Sequence, residues 1–453
     1  MSATTQRLGR LRQRSFLVSI RQFLTPQVWK QAQQARPCKK SKSADRWSLQ
    51  PLVYVLLAMT WCTGDSEPER FETARAFYVA HYQRQRRPGK TIQGFQKALA
   101  RLPMPVLRAL AAGVRRQISQ LFGEGLLYRG FIPIGCDGSR LECPRSAELE
   151  KRLGQAAGKD SAPSLWLTAM VHLSTGILWS WRLGKGTGSE ETHLLQLLAT
   201  LPPLALLVCD AGFVGYVLFA AIGKAKRSFL IRLCSRAYLY TLEKVEIAQF
   251  QEGEVFYWPE WAREKKLPPL QVRLIRIRDK QGKHDVWLLT NVLDRNQLSR
   301  GMAAQFYRWR WRNEGLFRTY KRTLNKVKLF SRTIVQVHRE AEGSLLALQL
   351  LLAEGARAHL RGKDTLVTLG NRQLLLRVRA EITVAIGARL GPRQRLQYLH
   401  ALTQARSRCR QQRSSKVRRP WPGRKEHKPP KPPVIRLMPD ELKALLNKIL
   451  NAA

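Results

Sequence analysis

The stretch Tyr307 to Lys321, YRWRWRNEGLFRTYK, holds one carboxylate, Glu314, among five basic and five aromatic side chains. Tyr307, Arg310, Glu314 and Lys321 are separated by three, four and seven positions. Those intervals return side chains to one face of a helix. A face that carries a phenol, a guanidinium, a carboxylate and an ammonium suits a phosphate chain and a metal ion. The plainer reading is a solvated basic helix whose Glu pairs with residues one turn away.

Two other carboxylates share a local setting. Asp137 follows IPIGC and precedes Gly138; Asp210 follows LALLVC and precedes Ala211-Gly212. Each reads as an acid at the carboxyl end of a buried strand, which is where ligands bind in open α/β sheets. If the two strands are neighbours, both carboxylates enter one space and attract a hard divalent cation. Mg2+ prefers carboxylate oxygens together with waters and phosphates. Singly, an Asp before Gly is an ordinary turn former. Two matched cases plus a lone acid in a basic helix make a stronger set. Glu142, Glu148, Glu150, Asp160, Glu190 and Glu191 compete for the role. Glu190 and Glu191 directly follow Ser189, where acids favour a helix N-terminus, so capping accounts for them. His172 and His193 lack spaced partners and read as core or surface residues.

The elements that must position these groups follow from patterning. Residues 1–128 read as helices without a strand, with Thr25-Pro26 as a cap and first-turn proline. The segment AHYQRQRRPGK within it is a basic loop, and Arg86, Arg87 and Lys90 are candidates for phosphate contact. After Arg129 the pattern changes to short apolar runs. IPIGC, LWLTAMVHL, ILWSWRL, LALLVC and SFLIRLC read as strands, the second and third as a hairpin. GTGSEETHLLQLLATLP and Tyr216–Ala225 read as helices. The result is a mixed α/β sheet covered by helices. Residues 236–300 read as strands joined by polar turns, 301–340 as helix carrying the opening motif, and 341–405 as Leu- and Ala-rich helices. From Arg406 to Pro433 the composition shifts to Arg, Lys and Pro, a basic extended segment suited to wrapping nucleic acid. A short helix, Pro439 to Leu450, closes the chain.

Bulk composition narrows the partner. A chain of 453 residues is long enough for two to four domains. Its 79 Lys and Arg exceed its 32 Asp and Glu by 47. An excess spread along the whole chain points to a long polyanion, nucleic acid before an anionic membrane surface. Binding of that kind weakens steeply with salt. The seven Cys residues are scattered singly, which argues against a structural zinc site and fits a reducing compartment. The longest apolar run, Leu52 to Cys62, is too short to span a bilayer. No signal peptide is read at the N-terminus, so the expected location is the cytoplasm.

The order of the two Asp blocks, IGCDGSRL and LLVCDAGFVGY, followed by the Tyr-Arg-Glu-Lys spacing, resembles bacterial insertion-sequence transposases of the DDE class. The resemblance is to the type-four insertion-sequence family with its YREK signature, and Tyr307, Arg310, Glu314 and Lys321 match that signature without deviation. It covers residues 130–330 and, more loosely, the helical N-terminal part. It implies an RNase H-like mixed-sheet core in two parts, 129–235 and 301–340, a β-rich insertion at 236–300, a helical N-terminal DNA-binding domain at 1–128, a helical C-terminal region at 341–405, and a basic tail at 406–453. It implies that Asp137, Asp210 and Glu314 hold two Mg2+ ions, with Mn2+ as a substitute. Tyr307, Arg310 and Lys321 would contact phosphates near a transposon end. The implied activity is cut-and-paste transposition on double-stranded DNA, at terminal inverted repeats and a target, by a homodimer on paired ends beside the bacterial nucleoid. In this family a Trp of the insertion can stack on a flipped base. Trp287 is the candidate, but it sits one residue away from the expected place in its strand, and such a shift turns a side chain to the other face. Trp258 and Trp261 are alternatives. Two other functions stay open at this point: a catalytically inactive DNA-binding relative, and a nuclease of the same fold.

Overall fold

A computed structural model describes residues 16–36, 46–82, 87–155, 161–233, 237–278, 285–361, 370–388 and 432–451. Expectations for Arg86, for the polar turn at 279–284 and for the basic segment 406–431 lie outside them. The chain divides into two compact units, one of Met1–Gln117 with Thr333–His427, the other of Ile118–Arg332 with Lys428–Ala453.

The first unit is helical throughout its described residues. Its centre is the helix Leu49–Trp61, in which every residue but Gln50 is buried. A helix apolar on all sides must be surrounded, and this one is. The long helix Ile334–Arg361 packs against it. Gly343 allows that approach, since a Cβ there would stand 2.5 Å from Leu56 Cδ2. The indole of Trp61 donates to the Ala347 carbonyl at 3.2 Å. Thr25 caps the helix Pro26–Gln34 by accepting from the Val28 N–H, as its sequence foretold.

The second unit is built on one ten-stranded sheet. Its strands are β1 (Ile132–Glu142), β2 (Ser164–His172), β3 (Leu178–Lys185), β4 (Ala205–Cys209), β5 (Ser228–Arg232), β6 (Tyr238–Thr241), β7 (Glu252–Tyr257), β8 (Leu270–Ile277), β9 (Val286–Thr290) and β10 (Val434–Leu437). Their spatial order is β10-β6-β7-β8-β9-β5-β4-β1-β2-β3. β1 runs antiparallel to β2 and parallel to β4, and β4 is parallel to β5. The sheet is mixed, as the patterning indicates. β4 is buried at all five positions, which is why ALLVC carries no polar residue. The strands of the 236–300 stretch are hydrogen-bonded onto β5 through β9, so they extend the same sheet. β10 adds a parallel partner to β6; its four residues, VIRL, follow directly on the Pro-rich tail and are too few to show alternation.

Two departures concern the candidate residues directly. β1 does not stop at Asp137-Gly138; it continues to Glu142, paired with β2 along its length. The motif helix is also interrupted. Arg300–Trp309 ends at Arg310, a new helix runs Arg312–Arg318, and Thr319–Thr323 forms a wider π turn. Tyr307, Glu314 and Lys321 therefore stand on three successive short elements rather than on one straight face. The helix Arg300–Trp309 lies on the sheet through Met302, Ala303, Phe306 and Tyr307, which join Phe131, Leu206, Val208, Leu230 and Leu288 in one apolar cluster.

Candidate active site

Strand register brings the first two acids together. β1 and β4 pair in parallel from Ile132–Ala205 to Gly135–Val208, an offset of 73 positions (208 − 135), which sets Asp137 level with Asp210. Alternation then puts both side chains on one face. Leu206 and Val208, which share parity with Asp210, and Phe131, which shares parity with Asp137, pack in the cluster with the helix Arg300–Trp309. The same face of β1 carries Gly135, against which the Asn313 amide lies, and Ser139, whose hydroxyl accepts from Lys321 Nζ at 2.7 Å. The broken motif helix thus tracks along β1, with Asn313 at Gly135 and Lys321 at Ser139, one on each side of Asp137.

Each Asp is oriented by its own backbone neighbour. Asp137 Oδ1 accepts from the Gly138 N–H at 2.8 Å, and Asp210 Oδ1 from the Ala211 N–H at 2.7 Å. Asp210 directly follows β4 and caps a short 3-10 turn, Ala211–Phe213, as its sequence indicates. Two guanidiniums attend it: Arg310 at 3.6 Å from Oδ2 and Arg232, at the end of β5, at 3.9 Å from Oδ1. Arg310 is 5% exposed and its Nε has no hydrogen-bond partner among the described residues. Its guanidinium also lies over the rings of Tyr307, at 5.4 Å, and Trp311, at 4.9 Å. A buried cation held by aromatic faces and short of acceptors is arranged for an anion.

The electrostatics join the third acid to the pair. Burial raises the Asp137 carboxyl above its ordinary value, the Gly138 N–H and Arg310 pull it back, and the charges of Asp210 and Glu314 push it up further. Burial likewise raises the Tyr307 phenol, with Asp210 adding to the effect and Arg310 and Arg232 opposing it. Lys321 is held below its usual value by burial. Glu314 itself is exposed, in the first turn of its helix. Among the described residues no three His, Cys, Asp or Glu side chains are drawn tightly enough to hold a metal ion as they stand. The donor set is nonetheless the right chemistry for a hard cation, two adjacent strand carboxylates and a third within their field.

Sequence reasoning passed over three residues here. Arg232 lay hidden at a strand end, and Asn313 sat between charged neighbours. Glu190, read as a helix-capping acid, has its carboxyl raised by burial and then by Asp137 and Asp210. Other expected residues lie elsewhere. Trp287 is 5% exposed, tilted against Phe250 at 6.0 Å and covered by the Arg276 guanidinium at 5.3 Å. A base reaches that ring only if both neighbours move. Trp258 is fully buried and donates to the Leu267 carbonyl, whereas Trp261 is 39% exposed. Arg87 and Lys90 are exposed in the first unit, on a loop whose Gly89 and Pro88 carbonyls accept from Arg75. His172 is a core residue, its ring bridging Thr175 Oγ1 and the Leu126 carbonyl, and His193 is bonded to Thr168.

Residues 135–350 match the family model of the transposase DDE domain, a span that contains all three acids. This match supports a DDE transposase. No curated protein matches the chain. Among solved structures the chain is similar to a piggyBac transposase synaptic complex with hairpin DNA, at 14% identity and a TM-score of 0.44, over 83% of this chain and 82% of that one. Among the described residues no helix is long and apolar enough to cross a membrane.

Proposed function

We propose that this transposase moves an insertion sequence by cut-and-paste chemistry, with Asp137, Asp210 and Glu314 as its catalytic acids. The observation that carries the reading is the parallel register of β1 and β4, which sets Asp137 level with Asp210 across 73 positions (210 − 137), with the motif helix that bears Glu314 running along the same face of β1. These three carboxylates would hold Mg2+, or Mn2+ in its place. Bound there, such an ion polarises a phosphoryl oxygen and makes water or a DNA 3′-hydroxyl a nucleophile near neutral pH.

The remaining work falls to the chain's own side chains. Arg310, already short of acceptors, meets the non-bridging oxygens of the scissile phosphate, and Arg232 backs it from β5. Lys321, anchored on Ser139, places a second cation beyond Asp137. Tyr307 closes the apolar floor beneath Asp210 and excludes water. Positioning and fixed charge of this kind account for phosphoryl transfer without a covalent enzyme intermediate. Hydrolysis of one strand frees a 3′-hydroxyl at the element's end. This attacks a phosphodiester of the opposite strand, and the flanking DNA leaves with its own 3′-hydroxyl as the hairpin bond forms. Water reopens the hairpin before strand transfer. Arg87 and Lys90 are assigned to phosphate contacts along double-stranded DNA, with a homodimer pairing the two ends in the bacterial cytoplasm. Trp261 is the more accessible ring for a flipped base, while Trp287 serves only if its cover opens.

The test is cleavage of the inverted repeats that flank the gene, with Asp137→Ala, Asp210→Ala and Glu314→Ala. Each change should abolish product while leaving DNA binding, and EDTA should do the same. Full cleavage by any one variant would remove that residue from the site.

A further inference from the structure

The helix Arg312–Arg318 that bears Glu314 is only seven residues long and starts afresh after a break. So short a helix does not fix its own direction, and contacts outside it must do so. Its buried residues, Asn313, Leu316 and Phe317, lie at helical spacing and seat it on β1 and β2. Apolar seating is non-directional, so it sets neither the roll of the helix nor its angle at the break.

Arg312 supplies both restraints. Its Nη1 donates to the Ser174 carbonyl at 2.6 Å and to the Leu173 carbonyl, where β2 turns toward β3. Its guanidinium also lies over the Trp309 ring at 5.0 Å. That ring is held edge-on by Tyr128 and Phe306, at 4.7 and 5.8 Å. One side chain thus ties together the last residue of the first helix, the first residue of the second and the β2–β3 turn. A lysine has no plane to stack on the indole while its edge meets two carbonyls. Residues advance by ~100° around a helix, so Arg312 and Glu314 stand ~200° apart with buried Asn313 between them. Pinning Arg312 to the end of β2 therefore turns Glu314 to the opposite flank of a helix that runs along β1 past Asp137.

We propose that Arg312 is the positioning residue for Glu314: it contacts neither DNA nor ion, and it sets the helix that brings the third acid to the site. The inference rests on the assignment of Glu314 as a catalytic acid.

The test is cleavage of labelled ends by the full chain as Mn2+ is titrated, for wild type, Arg312→Met, Arg312→Lys, Arg308→Met and Glu314→Gln. Affinity for the same ends is measured without divalent ion at several salt concentrations, and thermal unfolding is read in parallel. Arg312→Met should need about tenfold more Mn2+ for half-maximal rate, with wild-type DNA affinity and salt dependence. Arg312→Lys should fall between it and wild type. Arg308→Met, which removes an exposed charge nearby, should have the wild-type Mn2+ requirement. Weaker DNA binding with a salt slope lower by about one, at an unchanged Mn2+ requirement, would make Arg312 a phosphate contact and overturn the proposal. A slower Arg312→Met with Mn2+ requirement and DNA affinity both unchanged would mark a merely structural role and overturn it too. If Arg312→Met does not fold, Arg312→Lys decides, and a wild-type Mn2+ requirement there overturns the proposal. Should Glu314→Gln abolish cleavage while Arg312→Met cleaves as wild type, the inference fails and the three-acid site stands. Should Glu314→Gln cleave as wild type, the assignment of Glu314 fails and the inference with it.

Discussion

Replacing Gly138 by Ala tests the close approach of Glu190 and Trp166 to the β1 backbone next to Asp137. Strand backbone accepts alanine readily, and a glycine replaced at a compatible position gains about 0.4–1 kcal/mol through the unfolded chain. Here the new methyl would meet Glu190 Oε1 at 2.1 Å and the Trp166 ring carbon Cζ2 at 2.8 Å. The carboxylate can swing aside, but the indole is half-buried and carries the Arg140 guanidinium over its face at 5.0 Å. Overpacking of this kind costs about 1–3 kcal/mol, so the expected net loss is about 1–2 kcal/mol. Urea unfolding at fixed ionic strength, followed by circular dichroism and tryptophan fluorescence, reads it as a lower midpoint at unchanged slope. Combining the change with Glu190→Ala removes one of the two obstacles, and the double variant should be about 0.5–1 kcal/mol more stable than the sum of the singles. A Gly138→Ala protein as stable as wild type, with additive effects in the double variant, would refute the packing argument.

Lys321→Met removes the 2.7 Å bond to Ser139 and one cation of the site. End cleavage should fall by about 10²–10³-fold with the unfolding midpoint unchanged, and a gel assay on labelled ends checks it. Arg310→Gln takes away a charge that lowers the Asp137 carboxyl, so the acid limb of the cleavage–pH profile should move to higher pH; an unmoved limb would separate Arg310 from Asp137. His172 is held at about 4 by burial, below its ordinary 6.5. The unfolded chain takes up that proton first, so stability present above pH 6.5 should decline toward pH 4 by about 3 kcal/mol. Urea midpoints across that range should flatten in His172→Gln, and an equally steep decline in the variant would contradict the assignment.

Much of the sheet could be read from alternation and apolar runs, because β1–β5 and β7–β9 bury one or both faces. Their side-chain types are fixed by that burial. What local sequence does not carry is partnership. Asp-Gly at 137–138 has the chemistry of a turn, and only the distant Glu190 and Trp166 explain why glycine stands in an unbroken strand. The spacing of Tyr307, Arg310, Glu314 and Lys321 was legible. The break after Trp309 was not, since Arg310 and Trp311 keep helical dihedrals while the hydrogen-bond ladder is interrupted. Glu190 was legible as an acid near a helix start, but its approach to Gly138 of β1, 52 positions earlier (190 − 138), was not. β10, VIRL, has strand-forming residues but too few to show alternation, and its partner β6 lies far back in the chain.

Anomalous scattering from Mn2+ in crystals of the full chain tests the central claim most directly. The account predicts a peak about 2.0–2.2 Å from carboxylate oxygens of both Asp137 and Asp210, with Glu314 drawn toward it and Arg310 displaced from Asp210. Well-ordered, deprotonated Asp137 and Asp210 with Mn2+ bound only elsewhere on the protein would contradict it.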